Sequence, residues 1–214
     1  LRMDQFVHGR VIFAGDSAHG VSPFGARGAN SGVQDAENLA WKLDWVLQGR
    51  ASPALVATYG PEREYAADEN LCNSTRATDF ITPKSEVSRL FRDAALHLAR
   101  DHAFARRIVN SGRLSVPATL HQSPLNTPDG DAFAGTQVPG AVLLDAPLLR
   151  QGQPTWLLRE LTPDFTLLVW GPAPAWANAL PHVQVLQIGL DVLDAQALTT
   201  QRLDARPGTM YLVR

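Results

Sequence analysis

The sequence predicts an α/β chain assembled from two unlike parts, and three observations support this. Residues 1–110 hold 26 of the 40 charged side chains and 4 of the 15 prolines, against 14 and 11 in residues 111–214. Helical periodicity concentrates in the first stretch; proline, which fixes φ and removes a donor, favours turns and strand ends in the second. Short runs rich in β-branched and aromatic residues recur after residue 139. A chain of 214 residues accommodates one large domain or two small ones.

Val11-Ile12-Phe13-Ala14 is an apolar run bounded by Gly9-Arg10 and Gly15-Asp16, which predicts a buried, central, parallel strand. A glycine-rich stretch follows, with five glycines and Pro23 between residues 15 and 32. Ala36, Leu39, Ala40, Leu43, Val46 and Leu47 then fall at helical spacing and predict one apolar face. Asn30 or Ser31 can cap this helix and Gly49 can end it. Ser52-Pro53 signals a second helix through Leu55, Val56 and Tyr59, broken at Gly60-Pro61 and resumed from Glu62. A third starts near Ser85 and carries Val87, Leu90, Phe91, Ala94 and Leu98. Residues 111–139 show no periodicity and read as a linker or wrapping loop. Strands are expected at 141–144, 155–161, 165–170, 183–188 and 211–213, with a helix near 195–203.

Composition narrows the function. With 19 basic and 21 acidic side chains, the formal charge of −2 offers no electrostatic footprint for nucleic acid or an anionic membrane. No apolar run approaches the ~18 residues that cross a bilayer. Leu1-Arg2-Met3-Asp4-Gln5 lacks the basic and apolar regions of a secretory signal. The single cysteine, Cys72, reads as an inert small side chain, excludes an internal disulfide and suggests a reducing, cytoplasmic setting. No metal is expected: Asp129 and Asp131 flank Gly130 as a turn, and His97 and His102 miss the i, i+4 spacing of a helical metal pair. Trp41 and Trp45, one turn apart, read as core or helix contacts.

The chemistry concentrates in residues 9–43. A strand ending in Gly15-Asp16 delivers a carboxylate at a sheet edge, where it can accept hydrogen bonds from ligand hydroxyls. Gly25, Gly28 and Gly32 remove side chains where the backbone could approach a flat or anionic group. The start of the following helix favours negative charge. Together these describe a ribose-like polyol next to a delocalised anion; on the same physics, Asp16 could equally cap a turn and the glycines only shape a loop.

The stretch resembles the second FAD-binding fingerprint of the class A flavoprotein aromatic hydroxylases. It carries Gly15-Asp16-Ser17-Ala18-His19, then Pro23-Phe24-Gly25-Ala26-Arg27-Gly28-Ala29-Asn30, then Asp35-Ala36-Glu37-Asn38-Leu39-Ala40-Trp41-Lys42-Leu43, and the match extends to Tyr59 and Glu62-Arg63. The resemblance implies a partial FAD-binding domain over residues 1–110, made of strand, glycine-rich loop and long helices. Gly15, Asp16, Pro23, Gly25, Gly28, Ala29 and Asn30 would be its cofactor-binding residues. In that reading Asp16 binds a ribityl hydroxyl, Pro23 lies beside the isoalloxazine, and Gly28, Ala29 and Asn30 face its N1–C2=O edge. His19 and Arg27 read as structural, and no side chain is assigned as catalytic base. The implied reaction uses NAD(P)H and dioxygen, through a flavin C4a-hydroperoxide, to hydroxylate a small aromatic, phenolic substrate.

Two departures qualify the resemblance: a pyrophosphate-binding motif, and most of the substrate-binding sheet that precedes Gly15-Asp16 in the family, are missing. The Gly-x-Gly-x-x-Gly motif that holds the FAD pyrophosphate is absent from these 214 residues. The chain is therefore expected to be the C-terminal part of a longer enzyme, inactive alone and poor at holding FAD. After a linker at 111–139, residues 140–214 resemble the thioredoxin-like C-terminal α/β domain of the phenol hydroxylase branch, expected to lack its last strand. The resemblance there rests on Pro139-Gly140, Asp145-Ala146-Pro147-Leu148, Phe165-Thr166-Leu167-Leu168 and Tyr211-Leu212-Val213-Arg214. Pro172-Ala173-Pro174-Ala175-Trp176 stands where Cys-x-x-Cys would be, which implies a non-redox packing module and homodimer contact. The competing readings are a non-catalytic dimerisation or binding module and, more remotely, a Gly-Asp-Ser esterase using Ser17; no Asp-x-x-His supports the latter.

Overall fold

The computed structural model describes residues 1–23, 27–110, 112–135 and 137–214. It divides into two compact units, Leu1–Asn126 and Thr127–Arg214.

In the first unit, the apolar run at 11–14 is one arm of a short antiparallel hairpin and not a central parallel strand. β1 (Val7–His8) pairs with β2 (Val11–Ile12), Val7 opposite Ile12 and His8 opposite Val11. The intervening Gly9-Arg10 explains this. Gly9 takes φ +62°, so a two-residue loop closes the hairpin locally before a distant strand is needed. Val11 is exposed, while Ile12 and Phe13 pack against a small core of Phe6, Ala18, Tyr59 and Ala67.

The polypeptide then enters a 3-10 turn at Gly15–Ser17 and reaches α1 (Arg27–Leu47), which starts ahead of the expected caps and stops before Gly49. Its buried face is also not the one its apolar periodicity predicts. Arg27, Ser31, Asp35 and Lys42 are buried, whereas Ala36, Ala40 and Leu47 are exposed. After α2 (Ala54–Ala57), α3 runs unbroken from Tyr59 to Ile81. Pro61 lies in its first turn, where the missing N–H leaves the helical ladder intact. A Cβ on Gly60 would lie 3.4 Å from a Val7 methyl, so that glycine permits close packing of α3 on the hairpin.

Ser85 caps α4 (Glu86–Asp101), accepting from the Ser88 N–H at 3.1 Å. The expected stripe of Val87, Leu90, Phe91 and Leu98 faces outward, and Ala95 is the buried residue of this helix. α5 (Ala103–Val109) follows. Residues 113–123 are built into the unit: Arg27 donates to the Arg113 and Val116 carbonyls and Ser123 to Glu62.

The second unit forms around a mixed sheet. β5 (Phe165–Trp170) lies between β6 (Val183–Ile188), parallel to it, and β7 (Met210–Val213), antiparallel. Strand alternation turns Leu168 and Trp170 to one core with Leu148, Leu157, Leu186, Ile188, Val192 and Leu203, and Leu167 and Val169 to the other face with Ala177. β3 (Pro147–Arg150) and β4 (Gln153–Trp156) form a separate hairpin. The strand expected at 141–144 is displaced to 147–150 because Gln151 (φ +51°) and Gly152 (φ +77°) make a tight turn that pairs those residues instead. A 3-10 turn at Leu157–Arg159 ends the strand expected to reach 161, and α6 covers Leu198–Arg202. Among the described residues, no helix is long and apolar enough to cross a membrane.

Candidate cofactor-binding site

The site candidates lie where the 3-10 turn meets α1. Gly15 takes φ +60°, a conformation that disfavours side chains, and a Cβ on Gly32 would sit 3.5 Å from its Cα. Gly32 thus serves backbone-to-backbone packing of the turn on α1, and not the approach of a ligand. A Cβ on Gly28 would meet a Val21 methyl at an ordinary 3.7 Å. Asp16 is exposed, as are Pro23, Ala29 and Asn30, while Gly15 and Gly28 are half-buried. Gly25 lies outside the described residues. The turn therefore presents one carboxylate to solvent close to the N-terminal turns of a 21-residue helix whose first turn carries no acidic side chain. Such a pair can accept hydrogen bonds from hydroxyls and favour negative charge at the helix end.

The same unit carries a set of buried polar residues that sequence reasoning treated only as motif letters, and one of them holds this arrangement. Asp35 is fully buried on α1. Its Oδ2 accepts the Gly15 backbone N–H at 2.8 Å and His19 Nε2–H at 2.7 Å, and its Oδ1 accepts from Arg63 Nε at 2.6 Å. Burial alone would raise this carboxyl. The hydrogen bond from His19, the charge of Arg63 and the Gly15 N–H outweigh it, and the carboxyl sits below its ordinary value. Two turns further along, Glu62 of α3 accepts from Asn38 Nδ2 at 2.8 Å, Lys42 Nζ at 2.5 Å and Ser123 Oγ at 2.6 Å. Lys42 is fully buried in this contact. The Tyr59 hydroxyl donates to the Phe13 carbonyl at 2.8 Å, and burial, with Asp35 nearby, pushes its ionisation upward.

His19 and Arg27 both take structural positions. Arg27 is buried, bonds Asn70, and donates to the Arg113 carbonyl at 2.5 Å. A cavity of about 340 Å³ opens beside it, lined by Asn30, Ser31, Gln34, Asn70 and Val116 among others. The signal that sequence reasoning missed was polar periodicity. Arg27, Ser31, Asp35, Asn38 and Lys42 share one helical face, with Glu62 and Arg63 opposite on α3.

Ser17 is no nucleophile by its geometry. Its hydroxyl donates to the Ala14 carbonyl at 2.7 Å and accepts the Ala14 N–H at 3.3 Å, and no described histidine bonds it. Trp41 and Trp45 are half-buried and meet edge to face at 6.1 Å. Among the described residues, no cluster of His, Cys, Asp or Glu could hold a metal ion.

The family described as FAD binding domain matches residues 1–74. Tetracenomycin B2 monooxygenase-dioxygenase of Streptomyces olivaceus is 33% identical over 177 residues, covering 82% of this chain and 31% of that protein. The 6-methylpretetramide 4-monooxygenase of Streptomyces rimosus is 30% identical over 226 residues, covering 96% and 40%. The crystal structure of the flavin-dependent monooxygenase PieE, in complex with FAD and substrate, superposes with a TM-score of 0.73 at 24% identity, covering 99% of this chain and 44% of that one. The chain spans about a third to two fifths of the length of these curated relatives. Residues 1–74 are thus similar to an FAD binding domain, and most of the chain is similar to part of these named monooxygenases.

Proposed function

We propose that this chain forms one wall of the flavin site in a monooxygenase that hydroxylates an aromatic, phenolic ring. In the balanced reaction one oxygen atom of O2 enters a ring C–H bond and the other leaves as water. The two electrons required come from NAD(P)H. The observation that carries this reading is the exposed Asp16 carboxylate, on a turn clamped to α1 beside that helix's N-terminal turns.

Bound FAD would supply the activation of dioxygen, and the residues of this chain would hold it in place. The donor and acceptor set fits one side of a flavin. Asp16 would accept from a ribityl hydroxyl. Gly28, Ala29 and Asn30 would bring the positive end of α1 to the N1–C2=O edge of the ring. That helix end favours negative charge by about 0.3–1 kcal/mol at an exposed position. Pro23 would border the ring on the substrate side. With no side chain assigned as base, the contribution of this chain is binding and orientation, and the chemistry is the cofactor's.

The second unit, whose 88-residue span has no cysteine, is read as a non-redox packing or homodimer module of thioredoxin-like type. A cytoplasmic setting accords with the single cysteine of the whole chain.

Asp16→Ala in the intact enzyme tests the reading. FAD affinity, measured by flavin fluorescence on titrating apoenzyme, should fall about tenfold, the worth of one charge-assisted hydrogen bond of about 1.5–3 kcal/mol. Unchanged affinity would remove Asp16 from the site.

A further inference from the structure

We propose that Asp35 is a positioning residue for the flavin site: its buried carboxylate pins the Gly15–His19 segment to α1 and thereby sets where Asp16 is presented. The proposal rests on the reading that Asp16 binds the cofactor.

The geometry is specific. A single oxygen, Oδ2 of Asp35, accepts from the backbone of Gly15 and from the ring of His19, so one atom holds both sides of Asp16. The other oxygen is held by Arg63 of α3, which keeps the carboxylate from turning away. The Asp16 side chain makes no hydrogen bond to a described residue, so its direction follows from the backbone that Asp35 fixes. The segment is further tightened by the Gly15 carbonyl, which accepts from the Ala18 N–H at 2.9 Å and the His19 N–H at 3.0 Å.

His19 carries the argument beyond packing. The residue is 2% exposed, and its Nδ1 is buried with no hydrogen-bond partner. A side chain present only to fill space would be apolar, because a buried polar atom without a partner carries a desolvation cost. Among the described residues, the polar tie of the ring is to Asp35. Its retained nitrogen is accounted for by holding that carboxylate toward Gly15.

The same helix supplies an internal control. Glu62 and Lys42 form a second buried ion pair between α1 and α3, but their partners, Asn38 and Ser123, lie outside the 15–19 segment. A residue that only stabilises the unit should behave like Glu62, and a positioning residue should not.

The test is a double-mutant cycle on FAD affinity in the intact enzyme, with flavin fluorescence as readout. Asp35→Asn should weaken FAD binding at least tenfold in the wild-type background and less than threefold in the Asp16→Ala background. Glu62→Gln should leave affinity within threefold of wild type. The visible circular dichroism of bound flavin should change in Asp35→Asn and stay unchanged in Glu62→Gln. If Asp35→Asn does not fold, His19→Gln, which retains an amide donor for Asp35, takes its place with the same expected coupling. Equal losses in both backgrounds, or an equal loss in Glu62→Gln, overturn the positioning role alone. Full affinity in Asp16→Ala overturns the reading of Asp16 and this proposal with it.

Discussion

The two units are held together by opposite means. Residues 1–126 bury His19, Arg27, Asp35, Lys42, Glu62, Arg63 and Asn70, around an apolar cluster that includes Phe6, Ala18, Tyr59 and Ala67. Residues 127–214 bury Leu148, Leu157, Leu168, Leu186, Ile188, Val192 and Leu203, with Thr166 and Thr199 as their buried polar residues. Apolar burial is non-directional and tolerant of small shifts. Buried charges must be matched atom by atom, so they fix geometry more tightly than they stabilise. The difference follows the proposed work: the unit that positions a cofactor uses directional contacts, and the other uses a generic core.

The comparison breaks most visibly if one member of the second ion pair is removed. Glu62→Ala should cost about 3–5 kcal/mol, because Lys42 stays buried without its partner. Chemical denaturation gives the magnitude, and hydrogen exchange should place the loss in residues 1–126. Replacing both partners by apolar residues, Lys42→Met with Glu62→Leu, should restore most of that loss; a double variant as unstable as Glu62→Ala would contradict the account. In the other unit, Leu186→Ala should cost about 2–4 kcal/mol through lost burial and a cavity. Exchange should then be faster in β5, β6 and β7, with flavin affinity unchanged.

Acid provides the gentlest discrimination. The Asp35 carboxyl lies below its ordinary value when folded, so its contribution is complete above about pH 4 and is lost as pH falls through the folded value. The first unit should lose up to about 1.4 kcal/mol per pH unit there for this one proton. Among the described residues, the second unit holds no fully buried carboxylate and should show a weaker dependence of exchange rates. Tyr59 gives the opposite sign: its raised ionisation makes a contribution complete below about pH 10 and lost above it.

What the sequence made legible differs between the units for the same reason. Phe165–Trp170 is readable to the residue because a strand buried on both faces is a near-continuous apolar run, and Val183–Ile188 because its β-branched residues alternate within a short run. In α1 the same logic finds only part of the buried face, since Leu39 packs on the core but Leu47 and Ala40 point outward while Asp35 and Lys42 point inward. Hydrophobic periodicity ranks faces by transfer free energy and has no means of seeing an ion pair supplied by another helix. The hairpin at 7–12 escaped for a different reason, because the left-handed Gly9 closes it locally and the apolar run alone does not report that.

By itself the sequence determined the α/β class, the major helices and the glycine-rich segment that carries Asp16, because glycine placement and residue order are written in one dimension. Only the tertiary structure decided that Asp35 gathers Gly15, His19 and Arg63 on one carboxylate. Those partners lie 20, 16 and 28 residues away along the chain. A carboxylate buried at that point is tolerable only when all of them arrive together.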